Sequence, residues 1–164
     1  EGATPPGGSR GVELASVVRR IEASVTAQGR RLETELADRL ATRGHDERLE
    51  RVLGHLVQNA LDATPASGRV WLKVSRYSGQ VQVEIGDTGA GMSEEFIRSR
   101  LFRPFNTTKH QGMGIGSYES QQYIRELGGS IEVDSAVGRG TVMRVRLPLF
   151  EAQRGSDLMP LGTR

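Results

Sequence analysis

Four short stretches of this chain carry side chains able to do chemistry together. Asp87-Thr88-Gly89-Ala90-Gly91-Met92 puts a carboxylate at the end of an alternating apolar run, Val81, Val83 and Ile85, and follows it with two glycines. A carboxylate there can accept a hydrogen bond from an exocyclic amine, and the glycines let backbone approach a ligand closely. Alone, the stretch is equally an ordinary Asp-x-Gly turn. His55, Asn59 and Asp62–Ala63 stand about one helical turn apart and share a face. Asn59 interrupts an apolar stripe, so it is either an amide turned to solvent or a buried one that needs partners. Phe102-Arg103-Pro104-Phe105-Asn106-Thr107-Thr108-Lys109 combines two phenylalanines, two hydroxyls and a lysine. It suits a hinged flap, anchored by phenylalanine, whose threonines and lysine reach phosphate oxygens. Gly112-Met113-Gly114-Ile115-Gly116 follows and opens a helix. Backbone N–H groups at such a start can bind an anion without charged side chains.

The common nucleotide and hydrolase motifs are missing. There is no G-x-x-x-x-G-K-[ST] loop, and neither glycine cluster forms a G-x-G-x-x-G strand-to-helix turn in a βαβ unit. No two histidines stand four apart, and the G-x-S-x-G spacing occurs only in the linker stretch Gly7-Gly8-Ser9-Arg10-Gly11, with no strand-to-helix elbow around it, which sets aside metalloprotease and serine-hydrolase chemistry.

The elements that must position these residues are readable from periodicity. Leu14, Val17, Val18, Ile21 and Val25 predict an amphipathic helix over 11–28. Leu32, Thr34 and Leu36 alternate with charged neighbours and predict a short strand, after which Thr42-Arg43-Gly44 breaks the pattern. Asp46 is expected to cap a second helix striped by Leu49, Val52, Leu53, Leu56, Val57 and Ala60 and closed by Pro65 and Gly68. Strands over 69–76 and 80–86 follow, joined at Ser78-Gly79. The stretch 93–116 is polar, with one short helix near 93–100. A third helix over 117–127 stops at Gly128-Gly129, and strands over 130–135 and 140–147 turn through Gly138-Arg139-Gly140. Residues 1–10, with Pro5-Pro6-Gly7-Gly8, read as a linker and 150–164 as a disordered tail, leaving 11–149 as one domain. The expected class is α+β: a two-layer sandwich of a mixed, mostly antiparallel sheet with three main helices on one face.

A chain of 164 residues is long enough for a real core, and its net charge of +2 argues against a nucleic-acid partner. Cysteine is absent, which excludes disulfides and thiolate metal sites and fits a cytoplasmic location. No apolar run approaches the ~18 residues of a membrane span. Arginine replaces lysine almost throughout; only Lys73 and Lys109 are lysines, which draws attention to Lys109. The chain opens on Glu1 and is expected to be part of something larger.

Taken together and in order, the motifs resemble the ATP-binding domain of the GHKL superfamily, in its sensor histidine kinase branch. His55-Leu-Val-Gln-Asn59-Ala-Leu-Asp62-Ala63 resembles the N box, and Asp87 to Met92 the first glycine box. Phe102 to Lys109 resembles the F box, Gly112 to Gly116 the second glycine box, and Gly138-Arg-Gly-Thr141 the closing strand turn. The resemblance implies a Bergerat fold holding ATP and Mg²⁺, with 93–111 as a mobile lid. It implies that Asn59 is the Mg²⁺ ligand, with Asp62 and Ala63 beside it, and that Asp87 reads the adenine amino group with Thr141 in support. Gly89 and Gly91 would pass close to the base and Met92 would line its pocket. Phe105, Thr107, Thr108 and Lys109 would close over the nucleotide, and Gly112, Met113, Gly114, Ile115, Gly116 and Ser117 would meet the triphosphate. The wording from Phe105 through Ser120 is similar to kinases of the PEP-CTERM/exosortase system.

Three departures bear on mechanism. ATP-hydrolysing relatives carry a glutamate one turn before the asparagine, where this chain has His55. Asp62 stands where many kinases have a lysine, a charge that Lys109 would supply, and Ser117 replaces a leucine. A histidine can take a proton, but without the carboxylate transfer to protein is favoured over hydrolysis. His45-Asp46 superficially fits a phosphoacceptor pair, yet it sits at a helix start where no hairpin can be built, and His110 falls in the lid. The expectation is therefore a histidine kinase catalytic domain with its dimerisation and phosphoacceptor domain upstream, a response regulator as partner, and a homodimeric parent in the bacterial inner membrane. The alternatives are a GHKL ATPase, a nucleotide-sensing regulatory module and an anti-sigma kinase.

Overall fold

The computed structural model describes residues 11–37, 39–102 and 113–150, with the side chains of 113–115 excepted. Five strands form one mixed sheet: β2 (Glu33–Leu36), β4 (Val70–Tyr77), β5 (Gln80–Asp87), β6 (Ser130–Ala136) and β7 (Gly140–Pro148), in the order β2-β4-β5-β7-β6. Only β2 runs parallel to its neighbour; the other pairs are antiparallel. Ser78 and Gly79 both take positive φ between β4 and β5, the geometry of a two-residue turn that matches strand twist.

Alternation decides which face is covered. Val70, Leu72 and Val74 on β4, Val81, Val83 and Ile85 on β5, and Met143, Val145 and Leu147 on β7 are all buried. Helices α1 (Leu14–Ala27), α2 (Asp46–Asp62) and α4 (Met113–Glu126) supply the other layer, with Val17, Val18, Leu53, Leu56, Val57 and Ile124 facing the sheet. The opposite sheet face is a polar ladder, in which the Trp71 indole donates to Glu84 at 2.9 Å and Arg146 pairs with Glu132 at 3.0 Å. The α+β sandwich is the expected one. The register also brings Val70, Asp87, Thr141 and Ser135 into one row across β4, β5, β7 and β6, at the end of the sheet where β5 finishes.

Four boundaries depart from expectation. The first helix starts at Leu14, because Gly11–Glu13 is a strand, β1, paired with β3 (Ala41–Arg43) in a separate two-stranded sheet where only a break was expected. Asp46 does not cap α2: the N-cap is His45, with no side-chain cap bond, and Asp46 instead accepts from Arg20 at 2.6 Å. The short helix over 93–100 is α3 (Glu94–Phe96), continuing as a π-turn over Ile97–Leu101 and capped by Ser93, whose hydroxyl accepts the Phe96 N–H at 3.0 Å. The third long helix begins at Met113 rather than 117, so Gly114 and Gly116 lie within its first turn instead of a preceding loop.

Candidate functional site

A cavity of about 110 Å³ opens between α2 and the sheet row just described. Helix α2 contributes Leu56, Asn59, Ala60 and Ala63; the sheet contributes Ile85, Asp87, Thr141 and Met143; and the loop after β5 contributes Gly91 and Met92. Asp87 is on the helix-facing side of β5 by the same alternation that buries Val83 and Ile85, and it is only 5% exposed. Burial pushes its carboxyl above the ordinary carboxylate range, opposed by the N–H groups of Gly89 and Thr141 and by the Thr64 hydroxyl. The Gly89 N–H donates to Asp87 Oδ1 at 2.8 Å, which fixes the carboxylate's orientation.

Asn59 proves to be the buried alternative. It is 6% exposed on the inner face of α2, and its Nδ2 has no partner. A buried amide N–H left unpaired is costly, and an incoming acceptor such as a phosphate oxygen would satisfy it. Among the described residues no three His, Cys, Asp or Glu side chains cluster to hold a metal. A cation here would rest on the Asn59 amide oxygen and on oxygens brought by a phosphate ligand. That suits Mg²⁺, which keeps waters and takes few protein ligands.

The glycines of the Asp87–Met92 loop are needed first for packing. A Cβ on Gly89 would overlap the Ala63 carbonyl, and one on Gly91, at φ +77°, would overlap the Ala136 carbonyl. Bare backbone therefore lets the loop nest between the end of α2 and the β6–β7 turn. It is tied there by Ala90 N–H to Ala63 at 3.2 Å and by Gly138 N–H to Ala90 at 2.7 Å.

The remaining predicted residues separate into groups. His55 lies on the α4 side of α2, its ring against Gly116 so closely that a Cβ there would overlap the imidazole. Its Nε2 is buried without a partner, and burial lowers its pKa, with Glu119 and Asp62 pulling the other way. A second cavity, about 350 Å³, borders His55 and Gly116 and is also lined by Arg48, Arg51 and Glu119. Ser117 is fully buried with an unpartnered hydroxyl. Asp62 is exposed and accepts from Gln58 at 3.0 Å. Met113, Gly114 and Ile115 occupy the first turn of α4, while Phe105, Thr107, Thr108, Lys109 and Gly112 lie outside the described residues. Thr64 and Ser135 were missed. Thr64 carries no sequence signal, but counting back from the Gly138-Arg139-Gly140 turn would have set Ser135 opposite Thr141.

Residues 44–151 match the family model described as histidine kinase-, DNA gyrase B- and HSP90-like ATPase. The chain belongs to this family. Its relatives include the C4-dicarboxylate transport sensor protein DctB of Rhizobium meliloti, 38% identical over 112 residues, which are 67% of this chain and 18% of DctB. The sensor protein DivL of Caulobacter vibrioides is 33% identical over 118 residues, 72% of this chain and 15% of DivL. The chain thus spans about a fifth or less of the length of these two relatives. Among solved structures, the catalytic domain of histidine kinase ThkA superposes with a TM-score of 0.72 at 26% identity, covering 85% of this chain and 96% of that one. A mycobacterial sensor histidine kinase, MprB, shares the fold at a TM-score of 0.73 and 23% identity, over 85% of this chain and 98% of that one. The fold is that of histidine kinase catalytic domains, and the family is one of ATP-binding domains.

Proposed function

We propose that this chain is the catalytic domain of a two-component sensor histidine kinase. It holds Mg-ATP in the cavity between α2 and the sheet and presents the γ-phosphoryl to a histidine on a separate dimerisation domain, from which a response regulator receives it. One observation carries the reading: a buried carboxylate, Asp87, and a buried amide whose nitrogen is unpartnered, Asn59, line the same cavity. Asp87 accepts from the exocyclic amine of the base, and the Asn59 amide oxygen serves the Mg²⁺ that bridges the phosphates. Thr141 supports the base and Met92 lines its pocket.

Transfer rather than hydrolysis is supported by the turn before Asn59. A water-activating carboxylate is absent there, and His55 is packed against Gly116 with its charged form disfavoured by burial. Of the two histidines on described segments, His55 lies within α2 and His45 is its N-cap, with the His45 backbone N–H held by the Tyr123 hydroxyl at 3.0 Å. We place the acceptor histidine on another domain. Catalysis by this part is positioning and electrostatics around the transferred group. Among the described residues no helix is long and apolar enough to cross a membrane. We place the domain on the cytoplasmic side of a homodimeric, membrane-anchored parent.

The test uses the isolated chain with γ-labelled ATP and Mg²⁺. Nucleotide binding is expected without label on the chain, and label should appear on an added phosphoacceptor domain of the parent protein. Label on the isolated chain, or steady phosphate release from it, would overturn the transfer reading.

A further inference from the structure

The far end of the adenine cavity is backed by a hydroxyl that none of the motifs includes. Ser135, on β6, stands directly across from Thr141 on β7. Its Oγ lies 2.8 Å from the Met92 nitrogen, 2.9 Å from the Gly140 carbonyl oxygen and 2.7 Å from Thr141 Oγ1. Proton counting assigns every one of these contacts. A serine hydroxyl has one proton to give and two lone pairs to offer. The Gly140 carbonyl can only accept, so it takes the Ser135 proton. The Met92 N–H can only donate, so it takes one lone pair. The remaining lone pair accepts the proton of Thr141, whose hydroxyl then has nothing left but lone pairs to show the cavity.

Asp87 sits beside Thr141 in the register, and as a carboxylate it too is purely an acceptor. We propose that Ser135 is a specificity-determining residue: by holding the Thr141 proton it makes the base end of the cavity an all-acceptor wall, which selects 6-amino over 6-oxo purine nucleotides. This rests on the reading of the cavity as an adenine site. A 6-amino group offers two N–H donors to such a wall, one for Asp87 and one for Thr141. A 6-oxo group would set a carbonyl oxygen against a carboxylate and a lone pair, leaving buried acceptors unpaired. The same Ser135 bond to Met92 pins the loop that closes this side of the cavity, so the hydroxyl sets both the polarity and the position of the wall.

The experiment is competitive displacement of a fluorescent ATP analogue from the full chain, with Mg²⁺, by ATP and by inosine triphosphate. Ser135→Ala frees the Thr141 proton to turn toward the base and donate to a 6-oxo group. The ratio of inosine triphosphate to ATP dissociation constants should fall by about five- to tenfold, the worth of one hydrogen bond. Ser135→Thr keeps the hydroxyl and should restore the ratio. Adding Thr141→Val to Ser135→Ala should abolish the gain in inosine triphosphate affinity, because no proton remains to donate. A ratio measured within one preparation is independent of the folded fraction, so partial unfolding of a variant does not blur the outcome. If Ser135→Ala weakens both nucleotides equally, or moves neither, Ser135 only supports the loop and the inference is overturned. If instead the wild-type chain does not bind ATP, or Asp87→Asn leaves its affinity unchanged, the adenine reading itself is wrong.

Discussion

Asp87 is held in a place that does not favour its charge. Burial raises its pKa above the 3.8 of a free aspartate, and the Gly89 N–H at 2.8 Å offsets this only in part. A carboxyl with a higher pKa folded than unfolded binds protons better in the folded state. Stability therefore falls as pH rises above the unfolded value, and the cost is fully present once pH exceeds the folded value. Asp87→Asn removes that cost while keeping an oxygen for the Gly89 N–H. Thermal melts near neutral pH should show the variant at least as stable as the parent chain. ATP affinity should drop by roughly 10- to 100-fold, the loss of a hydrogen bond to a charged group. Asn59 invites a parallel experiment with a different signature. Its amide nitrogen has no partner to lose, so Asn59→Ala should change stability by about 1 kcal/mol or less. Nucleotide affinity should become insensitive to Mg²⁺ and to its chelation, and calorimetric titration with and without chelator decides this. Both residues were legible in the sequence because each breaks an apolar pattern it sits within. Ser135 was not, because a serine on a strand breaks nothing and acquires meaning only through the register opposite Thr141.

The α2–α4 seam is where elements constrain one another. The imidazole of His55 fills the space a side chain on Gly116 would need, so the glycine is the counterpart of the histidine. Gly116→Ala should destabilise by about 1–3 kcal/mol through overpacking. Most of that loss should vanish when His55→Ala is introduced beside it, and a double-mutant cycle by urea unfolding measures the coupling. Independent effects of the two changes would contradict this packing. The seam also titrates. Burial holds the His55 pKa below 6.5. The unfolded chain therefore binds the extra proton first, and the stability His55 contributes is present above about 6.5 and lost as pH falls through its folded value. His55→Gln should lessen the fall in melting temperature as pH drops below about 6.5, where the parent chain loses this stability. At this scale the sequence was informative where periodicity ran long, as in the stripe of α2. It failed at β1 and β3, three residues each, whose pairing is set by contacts distant in sequence. It also placed the start of α4 too late, since glycines argue against helix locally while tertiary contact with α2 overrides them.

Across the whole molecule, the described chain begins and ends at one place, away from the nucleotide cavity. β1 pairs with β3, the Phe150 N–H donates to the Ala41 carbonyl at 2.8 Å, and the Phe150 ring lies on Gly11 with the Arg43 guanidinium 5.3 Å from its centre. β7 links this closure to Thr141 through its nine residues, a span of roughly 30 Å at about 3.4 Å each. Sites that far apart without shared partners contribute additively. Phe150→Ala should therefore lower stability by about 1–3 kcal/mol, less than a fully buried phenylalanine because the residue is only partly buried. It should do so without changing nucleotide affinity per folded molecule. Saturation supplies the check, because a ligand at about 100 times its dissociation constant adds about 2.7 kcal/mol to any chain that binds it only when folded. The increment in unfolding free energy on adding Mg-ATP should thus be equal for the parent chain and Phe150→Ala, although their starting stabilities differ. An increment that shrinks in the variant would mean that the closure of the two ends is felt at the cavity. The β7 strand, hydrogen-bonded along its length between β5 and β6, would then be the element that carries the coupling.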